Sequence, residues 1–182
     1  MKKPLLPLLI FVAACLACAH GNELNAGPGF HFTFEMPDGW YRMDREEYVV
    51  ITKNNAFRQY AMIQERPLGK PFKHTGQLIK VGMLPEEAAG VVVDEIEADR
   101  NILSFELVEN VPASIVGHEG FKITYRYRDT NGMAYRTVYY GFIRGGFLFN
   151  LRYTALEKFY EESWPSFQHV LDTFRLVDPQ PA

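Results

Sequence analysis

The chain has 182 residues, 47% of them apolar and 14% aromatic, with a formal net charge of −3. That length fits one domain with a sizeable core, and the composition excludes a disordered chain. The acidic balance argues against a dedicated nucleic-acid binder, which concentrates Lys and Arg to neutralise phosphates.

The first 18 residues read as a signal peptide. Lys2 and Lys3 form a positive start, and Leu5 to Ala14 form an apolar segment interrupted by Pro7. It is too short for a stable membrane span and right for a cleaved signal. The two cysteines of the chain, Cys15 and Cys18, both fall at its end. Val12-Ala13-Ala14-Cys15 has the form of a lipobox: an aliphatic residue, two small ones, then the cysteine that receives lipid. Cys18 follows Ala17 but has Cys15 where an aliphatic residue is usual, so Cys15 is favoured and Cys18 is the second choice. Two or three acyl chains anchor stably where one is marginal. Leu16 or Ala19, rather than Asp, follows the cysteine, which by an empirical sorting rule favours the outer membrane of a Gram-negative cell. Residues 19–29, rich in Gly, Asn and Ala, read as a flexible tether. The domain is expected over 30–178, followed by a polar tail at 179–182.

Phe30 to Met36 alternates between apolar and polar residues and predicts a half-buried strand. Pro37-Asp38-Gly39 makes a turn. Further strands are predicted over Glu47–Lys53 and Phe57–Gln64, separated by a turn at Asn54-Asn55. Arg66 to Leu84 has no period, and a stretch of that length is usually functional or mobile. Pro85 opens a helix with Glu86 and Glu87 at its positive end. Ala89, Val92, Val93 and Ile96 form its apolar stripe, and it should end near Asn101. Phe105–Val111 is the next strand.

The most legible stretch is an aromatic meander: Phe121–Asp129, Met133–Ile143 and Phe147–Thr154. Asn131-Gly132 and Gly145-Gly146 are preferred two-residue hairpin turns. Those turns predict that Thr124 pairs with Tyr139, Arg126 with Thr137, and Tyr139 with Arg152. One face then gathers Phe121, Ile123, Tyr125, Val138, Tyr140, Phe142, Phe149, Leu151 and Tyr153, and the other gathers the polar residues. The chain closes on a helix, with a capping box at Thr154-Ala155-Leu156-Glu157 and a stripe of Tyr160, Trp164, Phe167, Leu171 and Phe174. Pro165 should kink or restart it, with Ser163 as a second cap. The sum is an α+β domain with a mainly antiparallel sheet.

No chemical motif stands out. None of the five histidines has a metal-ligand spacing, and no Gly-x-Ser-x-Gly elbow, P-loop or dinucleotide fingerprint occurs. The expectation is a non-enzyme with no cofactor, no metal and no catalytic residue; an unrecognised hydrolase is the weakest alternative. One constellation carries binding chemistry. On the predicted polar face Thr124, Tyr139 and Arg152 share a row beside Arg126, a set able to hold a carboxylate or phosphate through charge-assisted hydrogen bonds. The competing reading is a covered face whose arginines pair with acidic neighbours. The 66–84 segment is a second candidate surface.

Phe32-x-Phe34-x-x-Pro37-x-Gly39-Trp40, Gly117-x-x-Gly120 entering the meander, and Tyr160 through Phe167, Val170 and Leu171 to Thr173-Phe174 together resemble the Mog1/PsbP/DcrB superfamily. The resemblance spans roughly residues 28–178. It implies an α/β/α sandwich around an antiparallel sheet. It also implies an accessory or binding role, since its members include photosystem stabilisers, a partner of a small GTPase and bacterial envelope lipoproteins. It supplies no shared catalytic residue. The chain is therefore expected to be a lipid-anchored envelope protein with a protein partner; the alternative is a periplasmic binder of a small anion.

Overall fold

The computed structural model describes residues 23–25, 29–53 and 57–177. The signal peptide with Cys15 and Cys18, the Asn54-Asn55 turn and the 179–182 tail lie outside the described residues.

The elements in order are β1 (Glu23–Asn25), β2 (Phe32–Glu35), β3 (Trp40–Asp44), β4 (Tyr48–Lys53), β5 (Gln59–Pro67), α1 (Pro85–Glu97), β6 (Leu103–Ile115), β7 (His118–Arg128), β8 (Ala134–Arg144), β9 (Phe147–Leu156), a 3-10 turn (Glu157–Phe159), α2 (Tyr160–Thr173) and β10 (Arg175–Leu176). Seven strands form one antiparallel sheet in the order β3-β4-β5-β9-β8-β7-β6. A smaller sheet has the order β1-β2-β10. Part of the segment read as a tether is thus a strand, since Glu23–Asn25 pairs with β2.

Both faces of the large sheet carry an apolar cluster, and on one of them α1 covers β6, β7 and β8. Alternate residues of β4, β5, β8 and β9 (Val49, Ile51, Ala61, Ile63, Val138, Phe142, Leu151 and Tyr153) meet Phe167, Val170 and Phe174 from the α2 side and Phe32 and Phe34 from β2. On the opposite face Phe121, Ile123, Tyr125, Tyr139 and Leu148 meet Ala88, Ala89, Val92 and Ile96 of α1. The layers are therefore α1, the seven-stranded sheet, and α2 with the small sheet beside it. This is the expected α/β/α sandwich.

The second hairpin has the predicted register, with Tyr139 opposite Arg152. The first is displaced by one residue: Thr124 pairs with Val138 and Arg126 with Arg136. The cause is the turn. The Asp129 carboxylate accepts from the N–H groups of Asn131 and Met133, and the Gly132 N–H donates to the Asp129 carbonyl. Gly132 has φ +78°, the left-handed residue that closes a three-residue hairpin loop instead of a two-residue one. A one-residue slip exchanges the faces, so Val138, Tyr140 and Phe142 lie opposite the face that carries Phe121, Ile123 and Tyr125. Gly132→Val forces a β-branched residue into this conformation and should cost about 1–3 kcal/mol by urea unfolding.

The carboxy-terminal helix also begins differently. Thr154 is no helix cap; it lies in β9, where its hydroxyl bonds that of Thr137 at 2.9 Å. The 3-10 turn at Glu157–Phe159 leads into α2, which runs through Pro165, and Ser163 is buried inside it. Proline removes one bond near the start of the helix, which the packing of Tyr160, Phe167 and Val170 outweighs.

Candidate functional site

The displaced register divides the four residues proposed for anion binding. Tyr139 and Arg152 are cross-strand neighbours on the α1 face. Thr124 and Arg126 lie on the other face. There the Thr124 hydroxyl donates to Glu109 at 3.2 Å, and Arg126 lies 3.6 Å from Glu157 and 3.9 Å from Glu106. Arg136 joins this cluster through Glu157 and through Glu161 at 2.8 Å. Thr124 and Arg126 thus each lie beside neighbouring carboxylates.

Arg152 is different. It sits in a row running from Tyr139 on β8 through β9 to Met62 on β5 and Val50 on β4. Its neighbours along β9 on this face are Asn150 and Thr154. Its Nε is buried with no hydrogen-bond partner, and its Nη2 meets the Met62 Sδ at 3.5 Å. Among the described residues no carboxylate lies within ion-pairing distance of it. Alternate positions on this face of β4, β5, β8 and β9 (Tyr48, Val50, Thr52; Tyr60, Met62, Gln64, Arg66; Tyr135, Thr137, Tyr139; Leu148, Asn150, Thr154) carry no acidic residue at all. The titratable groups nearest the guanidinium are the phenols of Tyr60, Tyr125, Tyr127 and Tyr139, and it hydrogen-bonds the Tyr125 hydroxyl. Burial pushes Tyr125, Tyr127 and Tyr139 above the ordinary tyrosine value, with Arg152 pulling the other way. At neutral pH these phenols keep their protons and remain able to donate.

Tyr60, Tyr125, Tyr127 and Met62 were not singled out from sequence. The usable signal is the alternation in Gln59–Pro67: Tyr60, Met62, Gln64 and Arg66 point to one face, and none is acidic. The 66–84 segment is anchored rather than loose, although most of its residues are exposed. Arg66 and Pro67 belong to β5, and the remainder lies along α1. Glu95 accepts from the backbone of His74 and Thr75, Gln77 donates to Asp94, and Leu68, Phe72, Ile79 and Met83 join the core beneath.

A second surface is the sheet edge. β6 is the terminal strand and spans Leu103–Ile115. Leu103, Leu107, Val108 and Val111 are exposed along it, at 45%, 44%, 47% and 37%. Its pairing to β7 is irregular between Leu103 and Glu106 and between Leu107 and Glu109.

No family model matches the chain, and no curated protein matches it. Solved structures do. The solution structure of cyanobacterial PsbP (CyanoP) from Synechocystis sp. PCC 6803 aligns at a TM-score of 0.58 and 13% identity, over 81% of this chain and 87% of that one. LpqN, involved in cell envelope biogenesis of Mycobacterium tuberculosis, aligns at 0.57 and 12% identity, over 86% and 90%. The fold is PsbP-like.

Within this PsbP-like fold the two sheets are fastened by a polar contact. The buried Glu65 carboxylate of β5 accepts from the His31 N–H at 2.9 Å and meets His31 Nδ1 at 2.5 Å. Beside them a cavity of about 160 Å³ is lined mainly by Phe147, Phe149, Leu176 and Arg144. The other described histidines are likewise tied to neighbours. His118 stacks on Phe142 and meets Arg144, His169 lies 3.2 Å from Glu35, and His74 faces Asp99.

Proposed function

We propose that this protein is a bacterial envelope lipoprotein, anchored through Cys15, whose PsbP-like domain is a non-catalytic module that binds a protein partner along β6. The observation that carries the reading is the β6 edge. A long terminal strand with free backbone groups and exposed aliphatic side chains is a template for strand addition. Its occupant is an extended segment of another protein, apolar at alternate positions, with a basic residue facing the exposed Glu106. The two irregularities in β6, together with Pro112, disfavour straight pairing of two rigid copies and suit a segment that adapts its path. The lipobox supports anchoring, and the envelope role in LpqN's description is consistent with that placement.

Two measurements test this. Cys15→Ala should move the protein from the membrane fraction to the soluble one, whereas Cys18→Ala should leave it in place. Retention of the Cys15→Ala protein on membranes overturns that anchor. A photo-crosslinking residue at position 108 should give one defined heterologous adduct in the producing cell, and one at Glu161, outside β6, should not. Leu107→Lys with Val108→Lys should abolish the adduct. Only self-adducts, no adduct, or the same products from both positions would overturn the edge as a partner site.

A further inference from the structure

We propose that the α1 face of the sheet holds a small oxyanion, a carboxylate or a phosphate, bound by the Arg152 guanidinium at the margin of the α1 layer. This site is independent of the β6 edge. Three features of the structure carry it.

First, the guanidinium has no counter-charge: it hydrogen-bonds the Tyr125 hydroxyl and Met62, and its Nε has no partner. Arginine has only donors and does not lose its proton in proteins. Taking such a charge out of water without a counter-charge costs several kcal/mol. Every other arginine in the clusters described above meets a carboxylate, a backbone carbonyl or a histidine. Arg152 meets a thioether and a ring of phenols.

Second, the surroundings are rich in donors and hold no anion. Burial keeps the phenols of Tyr125, Tyr127 and Tyr139 protonated, and the same face of four neighbouring strands lacks Asp and Glu. Two acidic residues of α1, Asp94 and Glu95, bind Gln77 and the 74–75 backbone instead. An oxyanion supplies the missing charge and accepts from several donors at once.

Third, the site is reachable. α1 lies across β6, β7 and β8. Tyr125 and Tyr139 beneath it are buried, at 2% and 7% exposure. Arg152, Tyr60 and Tyr127 are partly exposed. Tyr125 and Tyr139 thus flank the guanidinium on its buried side, while Tyr60 and Tyr127 are its partly exposed neighbours.

The test is thermal unfolding of the full chain in detergent, titrated with sodium phosphate or sodium acetate at ionic strength held constant with chloride. A ligand that binds the native state raises Tm in a saturable way. The expected result is such a rise with at least one of the two anions. Arg152→Met should abolish it, and Tyr60→Phe should weaken the apparent affinity roughly three- to tenfold. Tyr60→Phe removes one hydroxyl near the guanidinium, so it decides the matter if Arg152→Met does not fold. Flotation with phosphatidylglycerol vesicles separates sources: Arg152-dependent flotation together with no response to free phosphate assigns the anion to a lipid headgroup. The proposal is overturned by the absence of a saturable response in both assays. It is also overturned by responses that are equal in the parent, Arg152→Met and Tyr60→Phe proteins.

Discussion

Phe167→Ala should destabilise the domain by about 3–5 kcal/mol, the usual cost of deleting a fully buried aromatic ring. Phe167 has no exposed surface. Its ring lies 5.3 Å from that of Tyr153, 5.7 Å from Trp164 and 6.3 Å from Tyr140. It is the point where α2 meets the centre of the sheet. The Tyr153 hydroxyl is also fixed, donating to the Tyr160 carbonyl at 2.9 Å, so neighbouring groups have little freedom to fill the void. Urea unfolding followed by tryptophan fluorescence, with Trp164 as a reporter inside the same cluster, measures the loss. A change below about 1 kcal/mol would mean that α2 contributes little to the core.

Gly120→Ala is expected to cost at least about 3 kcal/mol, or to prevent folding, although it adds a single carbon. A Cβ at this position would stand 2.2 Å from the Gly141 carbonyl oxygen, 2.7 Å from Ile115 Cδ1 and 2.9 Å from Phe142 Cβ. The first contact is with backbone, so no side-chain rotation relieves it. Its neighbour Gly141 leaves the space that the Phe121 ring occupies, since a Cβ there would meet that ring at 2.3 Å; an aromatic ring laid over a strand glycine is a known device for stabilising sheets. Gly90 in α1 is the internal control. A Cβ there meets nothing within 4 Å, and Gly90→Ala should stabilise by roughly 0.5–1 kcal/mol through helix propensity. Opposite signs for one chemical change would show that close approach, rather than glycine's flexibility, fixes Gly120. Circular dichroism during thermal unfolding reads both.

The layers were legible in the sequence because each long element carries a period that matches its environment. The stripe Tyr160–Phe167–Phe174 and the alternation from Phe30 to Met36 needed no tertiary information. The short strands were not legible: Arg175–Leu176 and Glu23–Asn25 are too brief for any period, and their structure comes from pairing with β2. The candidate site was half legible for a more specific reason. Asn131-Gly132 was read as a two-residue turn, but Asp129 competes for the same backbone donors and closes a longer loop. That one residue of slip keeps Tyr139 beside Arg152, because their pairing depends on the other hairpin. It sends Thr124 and Arg126 to the opposite face. The glycines of the Gly117-x-x-Gly120 pattern have distinct reasons that the sequence does not distinguish: Gly117 has φ +77°, and Gly120 has no room for a side chain.

The small sheet also sets an order of events. Strand β2 is made well before one of its two partners, β10. The Thr173 hydroxyl that accepts the Glu35 N–H is 138 residues away along the chain, and Phe174 packs on Phe32 within the core. Contacts of such separation pay their loop-closure entropy late. The β-meander and α1 have the local contacts to form first, but the layer joining β2 to β10 closes only once β10 has emerged. This postpones the final lock of the fold until the last turn of α2 is available.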